Sequence, residues 1–131
     1  MMSGVAIARA LLSDDYDISQ EVTVISGGVL PINTVLPAIS IRQISGYEFD
    51  TINRIGTQNV TERIQVTVLA RNYLEQKNII ELIRNAMIQK RGYVNGFLVE
   101  NIRQDLDGPD LYTESPEVYE QSIDYIVRFN R

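Results

Sequence analysis

The sequence predicts an α+β domain: a mainly antiparallel sheet of about four strands, two helices packed on one face, and a long protruding β-hairpin. Three observations lead there. Apolar residues recur at helical spacing in two stretches, they alternate with polar ones in several others, and no repeat, linker or low-complexity tract divides the 131 residues. Strict alternation marks antiparallel strands whose second face is solvated. A chain of this length buries roughly two-thirds of the surface it exposes when unfolded, so residues 1–131 can form one domain with a real core.

Gly4, Val5, Ala8, Leu11 and Leu12 share one helical face, and Ser3 is placed as N-cap, so the first helix is expected from Ser3 to Ser13. Asp14, Asp15 and Asp17 then close it, because acids oppose the dipole at a helix C-terminus and mark a chain that has already turned away. EVTVIS reads as a short strand and GGVLPINTVLP as a loop over the surface. After Pro37, Ile39 and Ile41 share one face with Tyr47 and Phe49, while Val60, Ile64, Val66 and Val68 alternate with Thr61, Arg63, Gln65 and Thr67. These two strands make the long hairpin, with its tip near Asp50 to Gly56.

Asn72 caps the next helix, and Glu75 completes an Asn form of the capping box. Ile79, Ile80, Ile83, Ala86 and Met87 line its buried stripe, and Gly92 is placed as a left-handed stop. Asn95-Gly96 is a tight-turn signal leading into the strand FLVENIRQD, LDGPDLYTESP is a polar loop, and VYEQSIDYIVRFN is the last strand. Along it Tyr119, Ile123, Tyr125, Val127 and Phe129 face one way.

Composition excludes much chemistry. With no His and no Cys there is no Ser/His/Asp triad, no Cys nucleophile and no His or Cys zinc site, and the lack of Cys suits a cytoplasmic setting. Gly27-Gly28 is followed by VLP, without the Lys of a P-loop or the third glycine of a dinucleotide fingerprint. A net charge of −5 argues against a general nucleic-acid binder. The N-terminal apolar run is interrupted by Arg9 and ends in acids, so it is expected to be neither a signal peptide nor a membrane span. No catalytic activity, no cofactor and no metal are expected. Asp105, Asp107 and Asp110 in DLDGPD offer hard oxygen ligands, but their spacing is not that of an EF-hand, and a solvated turn is the ordinary use of such a sequence.

Two surfaces read as interaction candidates. Lys77, Arg84 and Arg91 stand seven apart along the second helix, with Leu74 and Ile88 beside them, a mixed apolar and basic strip of the kind found at subunit contacts. The same residues also suit a solvated rim whose alkyl stems cover the core. Tyr47, Phe49, Ile52 and Ile55, with Arg54 among them, are unusually apolar for a hairpin end, so the segment either folds back on its own core or reaches a neighbouring subunit.

The succession GVAIARALLSDD, VLPINTVLPAISI, ERIQVTVLARNY running into EQKNIIELIRNAM, then VNGFLVENI and YEQSIDYIVRF, resembles the tail-completion family of tailed bacteriophages over nearly the whole chain. Its members are small virion proteins, also described as tail terminators or head–tail joining proteins. The resemblance implies a structural protein of the virion, assembled in the host cytoplasm. It would form a homo-hexameric ring at the head-proximal end of the tail tube, touching the tube protein and the connector or neck protein of the head. DNA would pass through the channel without specific binding, and no membrane would be involved. A head-side neck or head-completion protein, or a small phage-encoded adaptor or inhibitor of a host protein, is the alternative.

Overall fold

The computed structural model describes residues 3–31, 33–49, 59–88, 90–114 and 117–130, with Ser3, Tyr47, Glu48 and Phe49 described by their backbone alone. In chain order these residues form α1 (Ser3–Asp14), α2 (Tyr16–Glu21), β1 (Val24–Gly27), β2 (Ala38–Phe49), β3 (Asn59–Ala70), α3 (Tyr73–Met87), β4 (Gly92–Val94), β5 (Phe97–Asp107), β6 (Leu111–Thr113) and β7 (Val118–Asn130). The sheet runs β1-β2-β3-β7-β5-β4, with β6 beside β7, and it curls into a half-barrel. β1 pairs with β2 in parallel and every other pair is antiparallel.

This corrects the expectation of about four strands and two helices: among the described residues the sheet is mixed, with seven strands, and the helices number three. Each omission has a local cause. The acids after α1 do not merely end it, since Asp15 caps α2 by accepting the Ile18 N–H and Asp17 lies in its first turn, where the helix dipole favours a negative charge. Asn95 and Gly96 both have positive φ, 51° and 84°, the pattern of a two-residue hairpin turn, which requires a strand on its near side as well as β5 on its far side. β6 is a three-residue strand inside the expected polar loop. α3 stops at Met87 with Ile88 as its cap, so Gly92, although left-handed at φ 98°, belongs to β4.

The helices cover one face of the sheet, α1 over β1, β2 and β3, and α3 over β3, β5 and β7. β3 alternates without exception: Val60, Glu62, Ile64, Val66, Val68 and Ala70 are buried, and their neighbours are half-buried. Ile39, Ile41, Ile123, Tyr125, Val127 and Phe129 complete the sheet side of the core, which Ile7, Leu12, Ile18, Ile79, Ile83 and Met87 fill from the helices. Ser3 lies inside α1 rather than before it, and a strand side chain supplies the acceptor near the helix start. Buried Glu62 accepts the Gly4 N–H at 2.8 Å, and a Cβ at Gly4 would stand 2.4 Å from that carboxylate oxygen. Only glycine lets helix and carboxylate approach so closely.

The hairpin also differs from expectation. β3 pairs with β7 from Asn59↔Asn130 to Ala70↔Tyr119, so the β2–β3 ribbon is ordinary sheet as far as Phe49 and Asn59. Any projection begins beyond Phe49, and residues 50–58 lie outside the described residues. A bulge between Gln43 and Ser45 moves the register by one. Tyr47 and Phe49 therefore oppose Thr61 and Asn59, not the row of Val66 and Val68 that opposes Ile41 and Ile39. One extra residue in a strand reverses every later face.

Candidate interaction surfaces

The face of the sheet that no helix covers is polar and self-paired. Thr67 and Ser122 hydroxyls meet at 2.8 Å, Arg42 donates to Gln65 at 2.9 Å, and Arg63 is gripped by Asp105 at 2.5 Å and Asp124 at 3.1 Å. At one end of this face a cavity of about 460 Å³ opens across four strands, lined by Ser45, Thr61, Arg63, Asn101, Arg103, Ile126 and Arg128. Arg103 reaches Asp105 only at 3.7 Å. No ion pair or hydrogen bond is made by Arg128 among the described residues, and its side chain is exposed.

A second surface forms where α3 meets β6 and the start of β7. Asn72 caps α3 by accepting the Glu75 N–H at 2.8 Å, while the Glu75 carboxylate turns to Arg71, taking its backbone N–H and its guanidinium. The Arg71 guanidinium holds the Glu75 carboxyl below its ordinary range. Tyr73, Tyr112 and Tyr119 stack there, with ring centroids 6.3 Å apart for Tyr73 and Tyr119 and 4.8 Å for Tyr112 and Tyr119. Leu74, Leu111 and Tyr112 are all more than half exposed beside them.

The basic strip of α3 is anchored within the chain. Lys77 pairs with Asp110 at 2.7 Å, donates to Gln121 at 2.6 Å and lies 4.8 Å from the Tyr73 ring centre. Arg84 binds Gln104 at 3.0 Å and Glu81 at 2.9 Å, with Asp107 at 3.8 Å. The acids of DLDGPD thus each face a cation, and the Lys77 ammonium holds the Asp110 carboxyl below its ordinary value. Among the described residues no group of three or more His, Cys, Asp or Glu is placed to hold a metal. Leu74 and Ile88 are exposed, and Arg91 falls beyond the end of the helix that was to align it with Lys77 and Arg84. Tyr47 and Phe49 occupy paired backbone positions of β2, and Ile52, Arg54 and Ile55 lie outside the described residues. The tyrosine stack and the arginine cavity escape sequence reading because their members come from three and four separate elements.

No protein-family model matches the chain, and no curated protein matches it either. Among solved structures it is similar to a chain of the virion of the native gene transfer agent particle, with a TM-score of 0.73 at 11% identity. The likeness covers 99% of this chain and 98% of that one. The two share a fold from end to end. Among the described residues no helix is long and apolar enough to cross a membrane.

Proposed function

We propose that this chain is a structural component of a phage-like virion. The finer reading is a tail terminator: a hexameric ring on the head-proximal end of the tail tube that ends tube growth and offers a surface to the head connector. The end-to-end likeness of fold to a virion chain carries the reading as a virion component. The order of sequence elements, which resembles the tail-completion family, supports the position in the tail. Surface chemistry agrees with such a role, since exposed Leu74, Leu111 and Tyr112 on one side and an arginine cavity on another are dissimilar patches, and cyclic rings are built from dissimilar patches. The acidic balance suits a channel through which DNA slides without sticking. No catalysis and no cofactor are part of this reading.

Producing particles from which this protein has been removed tests it. Filled heads without tails, accompanied by tubes of irregular, excessive length, are expected, and gold-labelled protein supplied back is expected at the head–tail junction. Tails of normal length joined to heads in its absence would overturn the proposal. Label confined to the head, or only in the soluble fraction bound to a host protein, would favour the neck-protein or adaptor readings.

A further inference from the structure

We propose that the arginine cavity on the open sheet face receives the acidic, tyrosine-bearing edge of a second copy of this chain, so that one contact repeats head to tail. The inference rests on the ring reading above, whose subunit contact it specifies.

The cavity is chemically unfinished. Arg63, Arg103 and Arg128 line it, and the carboxylates that meet them are Asp105 and Asp124. Three guanidinium groups against two carboxylates leave one positive charge over, in a chain whose net charge is −5. Arg128 is the group without a described partner. A guanidinium offers a planar fork to a carboxylate and a flat surface to an aromatic ring, so a partner bearing both fits best.

The chain carries such a segment. From Gln104 to Val127 there is no Lys or Arg, and of the seven acids there Asp105, Asp107, Asp110 and Asp124 meet cations of their own chain, which leaves Glu114, Glu117 and Glu120 without an ion pair among the described residues. At the centre of that run lies the stack of Tyr112 and Tyr119 against Tyr73, rimmed by exposed Glu114 and Glu117. Tyr119 donates to Glu117 at 3.4 Å, and neither glutamate makes an ion pair among the described residues.

A single copy cannot satisfy itself. Both patches are attached to β7, the tyrosines at Tyr119 and the cavity at Ile126 and Arg128, and at about 3.3 Å per residue they stand roughly 30 Å apart. Tyr119 opposes Ala70, in the helix-covered row, and Arg128 opposes Thr61, in the open row. Patches at opposite ends and on opposite faces can meet only between copies. That contact is heterologous, and it closes a ring when the rotation between copies allows. A nucleic-acid backbone suits the cavity less well, because Asp105 and Asp124, bound to Arg63, leave too little excess positive charge for a run of phosphates.

The lack of native cysteine makes a direct test available. Thr61→Cys places a thiol in the cavity and Thr113→Cys places one on the tyrosine edge. The two single-cysteine proteins, mixed in equal amounts and oxidised, are expected to yield the mixed disulfide over either self-disulfide by about tenfold, because docking raises the effective concentration of that thiol pair. Adding Arg128→Glu to the cavity partner is expected to return the products to a statistical mixture. Arg128 is exposed, so its melting temperature serves as the check that the fold is kept. A statistical mixture from the original pair overturns the contact, as does salt-dependent binding of a short DNA duplex that Arg128→Glu abolishes. Failure here is separable from failure of the tail reading. Rings at the head–tail junction that lack the 61–113 link refute this contact alone, whereas strong linkage in a protein absent from tails refutes the tail role and leaves the contact standing.

Discussion

The two faces of β3 meet different fates within one strand. Under the helices, Val60, Ile64, Val66 and Val68 are removed from water, with relative exposures of 2% or less. On the open side Thr61, Arg63, Gln65 and Thr67 are also half-buried, although no helix lies over them. They are shielded by one another, through Arg63 with Asp105 and Asp124, Arg42 with Gln65, and Thr67 with Ser122. The difference separates two jobs. Burial of apolar area on one face holds the fold, at roughly 25 cal/mol per Å², whereas half-exposed ion pairs contribute little to stability and remain able to exchange partners.

Truncation on the covered face is expected to cost most. Phe129→Ala, which removes a fully buried ring packed edge-on against Phe97 at 5.5 Å, is expected to cost about 3–5 kcal/mol, while Thr67→Ala on the open face should cost about 1 kcal/mol or less. Denaturant unfolding of both variants measures the ratio. Equal losses would mean that the open face also bears the fold.

An intermediate effect is expected where the covered face is polar. Gly4→Ala drives a methyl group against the Glu62 carboxylate and should cost about 1–3 kcal/mol, the range for overpacking a tight site. Glu62→Gln keeps an acceptor for the Gly4 N–H and should cost less than Glu62→Ala, which leaves that N–H without it. Thermal melts of the three variants give the order, and an unaffected Gly4→Ala protein would show that the Glu62 carboxylate moves aside at little cost.

The smallest effect sharpens the same contrast. Tyr125 is fully buried on the covered face, burial pushes its phenol up to about 12, and its hydroxyl has no hydrogen-bond partner among the described residues. Tyr125→Phe should therefore be neutral or stabilising by up to about 1 kcal/mol, since an unpaired buried hydroxyl costs more than its absence. Destabilisation beyond that, measured by unfolding at neutral pH, would reveal a partner for the hydroxyl.

Legibility followed element length. α1, α3, β3 and β7 are long enough for periodicity to show, and the capping of α3 by Asn72 was written in the residue itself. β4 and β6, at three residues each, are shorter than any period that could reveal them, and α2 hid behind acids that read equally well as the end of the preceding helix. The bulge at Ile44 left no mark in composition, yet it overturned the assignment of Tyr47 and Phe49 to the face of Ile39 and Ile41. The interaction surfaces were the least readable. DLDGPD resembled a solvated turn, and Lys77 and Arg84 a free basic strip, because nothing local reveals that the one is the counter-charge of the other.

What the sequence determined alone was which residues leave water: the alternation in β3 and β7 and the stripe of α3 follow from chain geometry, whose periods of two and 3.6 are the same in every protein. Tertiary structure alone decided what meets what. Gly4 beside Glu62, 58 residues apart, Lys77 beside Asp110, and four strands contributing to one arginine cavity depend on strand order and register. Those are settled by the global burial of apolar area rather than by any local preference, and a single bulge suffices to change them.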